Sequence, residues 1–279
     1  MNTRSLLQQS AKKLKQAECD SPRLNAKLLL MHVWQISHTD IIVRAHDAVP
    51  QTVIDGYNIL LERRIRREPL AYITGEKEFW SRSFQVNPDV LIPRPETEHL
   101  IEAVLEEFPD QNGQYRFCDI GTGSGCIAVT LAGEYPQAHI IATDLSGAAI
   151  ITARLNAEKY HVKDRITFRT GDMLEALEKG DGPFDAIISN PPYVADHEMQ
   201  QLEPELAYEP KSALTDDADG LQYLEAILRE GPRYLCPQGL IIVETGLCGL
   251  PDTPVNLRLE RDIYDLAKHL RGAIYCLSD

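Results

Sequence analysis

Cysteine is scarce in this chain and none of it is paired in a motif. The six cysteines stand at 19, 118, 126, 236, 248 and 276, without a Cys-x-x-Cys among them. That scatter argues against a disulfide framework or a structural zinc site and for a reducing compartment, so a cytoplasmic protein is expected. Long apolar runs are missing too. None approaches the roughly 20 residues needed to cross a bilayer, and no membrane association is expected. The opening MNTRSLLQQSAKKLK is polar and amphipathic and lacks the apolar segment of a signal peptide. The eight histidines show no metal-ligand spacing, so no metal is expected. A basic surplus is lacking where it would matter for nucleic acid. Residues 1–78 carry 12 Lys/Arg against 9 Asp/Glu, whereas residues 79–279 carry 16 against 33. An acidic body of this kind repels phosphate backbones, and direct nucleic-acid binding is not expected.

What is present is an ordinary globular composition, with 43% hydrophobic and 25% charged residues over 279 positions. Apolar residues recur at three- and four-residue spacing over 4–17, 23–36 and 51–67, which predicts amphipathic helices. Ser21-Pro22 reads as an N-cap with proline at the first helical position. Residues 1–72 are therefore read as a small helical domain. Its basic end ERRIRREP (62–69) is read as a solvated face, with a partner contact as the alternative. Residues 73–92 mix aromatics with Gly75, Asn87 and Pro88 and read as a hairpin-like connector. Residues 93–279 form the third region. PRPETEHLIEAVLEEF (93–108) opens a helix. Strands at 115–120, 138–144, 165–172, 184–190 and 239–245 then alternate with helices at 124–135 and 146–160. Such alternation predicts a mostly parallel sheet covered on both faces.

The first of these strands runs into Asp119-Ile120-Gly121-Thr122-Gly123-Ser124-Gly125. Glycines there let a backbone approach a ligand at the carboxyl end of the sheet. The dinucleotide fingerprint fails because residue 126 is Cys, and no Gly-Lys-Ser/Thr follows to make a phosphate loop. Acids recur at the strand ends. Asp119 precedes the loop, Asp144 (followed by Leu145) closes the second strand, and Asp172 (followed by Met173) closes the third. A carboxylate in the second position suits the two hydroxyls of a ribose, and the third pair suits an adenine edge. Each acid taken alone is equally suited to capping the next helix. The three in register with the glycine loop favour a nucleoside-containing ligand.

The fourth strand ends on Asn190-Pro191-Pro192-Tyr193. An amide nitrogen is a poor nucleophile because its lone pair is delocalised. Two oriented acceptors, the Asn190 side-chain carbonyl and the Pro191 backbone carbonyl, suit the task of holding its N–H groups and directing that lone pair. Proline has no N–H to compete, and it keeps Asn190 out of helical geometry. Tyr193 suits stacking on a planar group.

The glycine loop and strand-end acids resemble those of S-adenosylmethionine-dependent methyltransferases with a Rossmann-like sheet, and the tetrad resembles that of members acting on a planar nitrogen. The flanks EPLAYITGEKEFWSRSFQVNPDVLIPRPETE (68–98) and EPELAYEPKSALTDDADGLQYL (203–224) are similar to the release-factor glutamine methyltransferase family. The resemblance runs from about residue 4 to 246. It implies an α/β fold with an all-helical N-terminal domain that helps grip the substrate. The implied cofactor is S-adenosyl-L-methionine, and the implied substrate is the glutamine of the Gly-Gly-Gln motif in bacterial peptide chain release factors. Carried over by position, Asp119, Gly121, Thr122, Gly123, Ser124, Gly125, Asp144, Leu145, Asp172 and Met173 fall to the cofactor. Asn190 falls to both cofactor and substrate, and Pro191, Pro192 and Tyr193 fall to the glutamine, with Asn190, Pro191 and Tyr193 as the catalytic set. Sister readings are glutamine methylation of a ribosomal protein, adenine methylation in nucleic acid, and a non-catalytic cofactor-binding module. One segment departs from the family. Glu244-Thr245-Gly246 is present, but LCGLPDTPVN (247–256) lacks the usual Gln and carries two prolines. The helix there is expected to be short or absent, with 257–277 supplying the closing strands.

Overall fold

The computed structural model describes residues 1–278 and separates into two compact units. One comprises residues 1–76 and 203–208, the other 77–202 and 209 onward. The first unit is helical: α1 (Thr3–Gln16), α2 (Pro22–Trp34), α3 (His38–Val43), α4 (Gln51–Ile65) and α5 (Leu70–Thr74). Leu6, Leu14, Leu29, Leu30, Tyr57 and Leu61 fill its core; Leu24, one of the apolar residues at helical spacing in 23–36, is instead 51% exposed. Asn2 caps α1 by accepting from the Ser5 amide. Ser21 stands at the N-cap of α2 with Pro22 behind it, but its side chain makes no cap bond. The short helices α3 and α5 have too few turns to show a period.

The basic end of α4 is not a solvated face. Arg64 is 4% exposed, with Nε donating to Asn25 Oδ1 at 2.7 Å and Nη2 to Glu205 Oε1 at 2.8 Å. Arg67 gives the same carboxylate two further bonds, of 2.7 and 2.6 Å. The Tyr208 hydroxyl donates to the Arg66 carbonyl at 2.8 Å. The segment 203–208 is thus bound into the helical unit by charge-assisted bonds.

The second unit opens with a hairpin of β1 (Glu76–Phe79) and β2 (Arg82–Gln85), then α6 (Glu98–Glu107) behind a 3₁₀ turn at Pro95–Thr97. There follow β3 (Arg116–Ile120), α7 (Cys126–Glu134), β4 (His139–Asp144), α8 (Gly147–Lys159), β5 (Ile166–Thr170), β6 (Phe184–Ser189), α9 (Gln222–Glu230), β7 (Leu235–Glu244), β8 (Leu257–Tyr264) and β9 (Leu270–Leu277). Seven strands form one sheet in the order β5-β4-β3-β6-β7-β9-β8. The first five are parallel, and β9 pairs antiparallel with both neighbours. Alternate strand residues feed two cores: Phe117, Ile140, Ile188 and Ile242 on one face, Cys118, Ile141, Ile187 and Ile241 on the other. Burial on both faces is why these strands read as continuous apolar runs.

Several boundaries differ from the sequence expectation. Helix α7 begins at Cys126, because Gly125 takes a left-handed φ of 80° at its N-cap. Strand β5 ends at Thr170, so Asp172 lies in the turn beyond it. Strand β7 runs from 235 to 244 and α9 precedes it, neither foreseen in full. Between β7 and β8 no helix forms, and the β8–β9 hairpin closes that side of the sheet. Among the described residues, no helix is long and apolar enough to cross a membrane.

Candidate active site

Strand order reverses between β3 and β6, and the crevice above the carboxyl ends there is where open α/β sheets take ligands. A cavity of about 280 Å³ opens at that point in the second unit.

Its first wall is the glycine loop. Gly121 has a φ of 72°, which favours glycine, and nothing stands within 4 Å of where a Cβ would project. Gly125 is required for a different reason. A Cβ there would lie 3.0 Å from Ala153 Cβ, so its absence lets α7 start against α8. Gly121 and Gly123 border the cavity; Asp119, Thr122, Ser124 and Gly125 do not. Asp119 is fully buried beneath the loop. Its Oδ2 accepts from the Thr122 hydroxyl at 2.6 Å and from the Ala128 amide at 3.2 Å. Burial pushes this carboxyl up to about 7, with those two bonds pulling the other way.

Asp144 ends β4 and borders the cavity. Its Oδ2 accepts from the Gly123 amide and its Oδ1 from the Ser146 amide, each at 2.8 Å. Each oxygen keeps a second lone pair, so the carboxylate is held still and still offers two acceptors. Burial raises its pKa, and the two amides oppose that. Leu145, Asp172 and Met173 border the cavity further along. Met173 has a φ of 45°, which turns the chain sharply after Asp172. Tyr223 on α9 faces them, as do Pro88 to Leu91 of the connector.

The second wall is the tetrad. The Ser189 hydroxyl donates to the Ile120 carbonyl at 2.8 Å and ties the end of β6 to β3. Asn190 follows and borders the cavity, as does Pro192; Pro191 and Tyr193 do not. Asn190 Nδ2 donates to Thr97 Oγ1 at 2.9 Å, and its Oδ1 has no hydrogen-bond partner among the described residues. The Tyr193 hydroxyl donates to Glu244 Oε1 at 2.9 Å. Glu209, buried at 7% exposure, binds the Ile92 amide at 3.0 Å and Arg94 at 2.7 Å. It joins the connector wall to the Pro210–Ala213 wall. Thr97, Glu209, Tyr223 and the connector residues were not singled out from sequence. Glu244 was noticed only as part of a motif, with no role.

Comparison with known proteins gives the family. The PrmC N-terminal domain family matches residues 5–75 and the Methyltransferase small domain family matches 97–221. A release factor glutamine methyltransferase from Nitratidesulfovibrio vulgaris is 43% identical over 242 residues, 86% of this chain and 81% of the relative. The chain belongs to the release factor glutamine methyltransferase family. A second member, from Neisseria gonorrhoeae, is 40% identical over 81% of each chain. The solved methyltransferase from Pyrococcus furiosus superposes with a TM-score of 0.51 at 19% identity, over 77% of this chain and 98% of its own, which reports the shared fold.

A release factor glutamine methyltransferase is an S-adenosylmethionine-dependent enzyme, and the residues present fit that cofactor. Gly121 leaves open space above its backbone, and Asp144 presents two fixed acceptors at the second strand end. Asp172 and Met173 stand at the third.

Proposed function

We propose that this protein transfers the methyl group of S-adenosyl-L-methionine to the side-chain amide nitrogen, N5, of the glutamine in the Gly-Gly-Gln motif of bacterial peptide chain release factors, in the cytoplasm. The observation that carries the reading is the setting of Asn190. Its NH₂ is committed to Thr97, which leaves its carbonyl oxygen unpartnered at the cavity wall. An oxygen so placed accepts an N–H from an incoming carboxamide.

When bound, the cofactor supplies an electrophilic methyl group on a sulfonium. The chain's residues handle the nucleophile. Asn190 Oδ1 holds one N–H of the glutamine amide at the cavity wall; the Pro191 carbonyl, which does not border the cavity, is assigned the other by its position in the tetrad. Held so, the plane of that amide is fixed and its nitrogen lone pair is directed. As the nitrogen gains the methyl group, one of those N–H protons becomes acidic and leaves to solvent, which balances the loss of the sulfonium's positive charge. Orientation of this kind removes roughly 7–11 kcal/mol of barrier in favourable cases. Asp144 takes the ribose hydroxyls. Asp172 and Met173 take the adenine edge, and the backbone of Gly121 to Gly125 takes the methionine end. The buried Asp119 acts beneath that loop rather than on the ligand. Residues 1–72 serve as the recognition domain for the protein substrate, and 93–279 as the catalytic domain beyond the connector.

The test is mass spectrometry after incubation with S-adenosylmethionine and each of three acceptors: unmethylated release factor, unmethylated ribosomal protein, and duplex DNA. One methyl on the Gly-Gly-Gln glutamine is expected. A methyl confined to the ribosomal protein or to adenine reassigns the substrate. No methyl on any acceptor, with the cofactor bound, overturns the enzymatic reading.

A further inference from the structure

Glu244 ends β7 at 1% exposure and is absent from the cavity wall. A buried carboxyl costs free energy unless it is partnered, so its partners say what it is for. Its one hydrogen-bond partner among the described residues lies in the tetrad. The Tyr193 hydroxyl donates to Oε1 at 2.9 Å. The other carboxyl oxygen, Oε2, is buried without a hydrogen-bond partner among the described residues. The other end of the tetrad is held separately: Thr97 is 2% exposed, and its hydroxyl oxygen accepts from Asn190 Nδ2 at 2.9 Å. Thr97 therefore holds the first residue of the tetrad and Glu244 the last. Gly246, two residues on, completes the seat. A Cβ there would lie 2.5 Å from Tyr193 Cδ2, so only glycine lets the ring lie against the end of β7.

This arrangement decides which end of the Asn190 amide meets the acceptor. A carboxamide presents a donor or an acceptor depending on its rotation. With Nδ2 tied to Thr97, the oxygen is the end left for the cavity. Rotated by half a turn, the same side chain would set an N–H against an incoming N–H.

We infer that Thr97 and Glu244 are positioning residues for methyl transfer: Thr97 locks the Asn190 amide with its carbonyl toward the acceptor, while Glu244 and Gly246 fix Tyr193. This inference rests on Asn190 being the group that orients the acceptor amide. Neither residue touches the cofactor or the substrate, so their effect falls on turnover and not on cofactor affinity.

The variants are Thr97→Val, which keeps the volume and removes the hydroxyl, Thr97→Ser, which restores it, and Glu244→Gln. Each is measured for kcat on intact release factor, for S-adenosylmethionine Kd by calorimetry, and by crystallography at Asn190. Misplacing a reacting group by an ångström costs about 100-fold. A fall in kcat of about 10- to 100-fold is therefore expected for Thr97→Val, with Kd changed by less than about 3-fold. Thr97→Ser should recover most of the rate. Glu244→Gln, which keeps an acceptor oxygen for Tyr193, should cost less than Thr97→Val. The crystal structure of Thr97→Val should show the Asn190 amide rotated or in two conformers. An unchanged kcat, a loss explained wholly by Kd, or an Asn190 side chain unmoved in Thr97→Val overturns the inference. If wild type methylates no release factor, the substrate reading fails on its own, and the Asn190 conformer in Thr97→Val still decides the positioning role.

Discussion

At the end of β3 and at the end of β7 the sheet carries a fully buried acid, and the two are built alike. Asp119 lies under the glycine loop and holds it by the Thr122 hydroxyl and the Ala128 amide. Glu244 lies under the tetrad and holds it by the Tyr193 hydroxyl, while Thr97 beside it holds Asn190. Burial pushes each carboxyl up to about 7, and hydroxyl donors offset part of the rise. Neither acid borders the cavity. The groups that do border it, loop backbone and a side-chain amide, are pliable by nature, and a rigid support beneath them is what a precise site requires. The difference between the two ends lies in what each supports. One shapes the cofactor end, the other the acceptor end.

Substitutions that separate these roles sharpen the comparison. The largest effect at the cofactor end is expected for Asp144→Ala, which removes the acceptors offered to the ribose and the anchor of the Gly123 and Ser146 amides. Losing charge-assisted bonds of this kind costs about 1.5–3 kcal/mol each, so calorimetry should show S-adenosylmethionine Kd rising by about 100-fold. Thr122→Val comes next. It removes one bond under the loop, and Kd should rise by about 10-fold with kcat at saturating cofactor nearly kept, the mirror image of Thr97→Val. If both threonines changed the same parameter, the division of labour would be wrong.

A pH series comes third. Asp119 and Glu244 both have folded pKa values above their ordinary 3.8 and 4.5. Their native environments therefore favour the neutral acid. The stability this contributes is full below about pH 4 and is lost as pH rises toward 7. Groups facing Glu244 act both ways, Glu96 raising its pKa and Arg271 lowering it. The melting temperature of the second unit should fall by several degrees from pH 5 to pH 8 from this cause. Glu244→Gln and Asp119→Asn should each flatten part of that slope. A slope unchanged in both variants would remove these acids from the account. The smallest effect is expected for Glu205→Ala, which leaves the buried Arg64 and the half-buried Arg67 without their shared carboxylate. Loss of about 1–2 kcal/mol is expected in the helical unit, read by denaturant melts, with S-adenosylmethionine Kd unchanged.

Local patterns carried most of the reading from sequence. The glycine loop, Asp144 and Asn190 declare themselves because strand, loop and ligand group are contiguous in the chain. The cofactor role expected of Asp119 illustrates where that stops. Its type and position suit a ligand, but the pleat turns it inward beneath the loop, and pleat direction is a property of the packed sheet. Glu244 and Thr97 were harder still. They lie 54 and 93 residues from Asn190 in sequence, and no local pattern joins them. Arg64 and Glu205, 141 residues apart, are hidden for the same reason. The segment 247–256 was legible by its prolines: it forms no helix, and the hairpin behind it closes the sheet.

The measurement that bears most directly on the account is single-turnover methyl transfer to release factor at saturating S-adenosylmethionine, with wild type and Asn190→Ala side by side. A fall of about 100-fold or more in the chemical step is expected, with cofactor Kd changed by only a few-fold. An unchanged chemical step in a folded Asn190→Ala protein, or a fall that vanishes once cofactor is saturating, would contradict it.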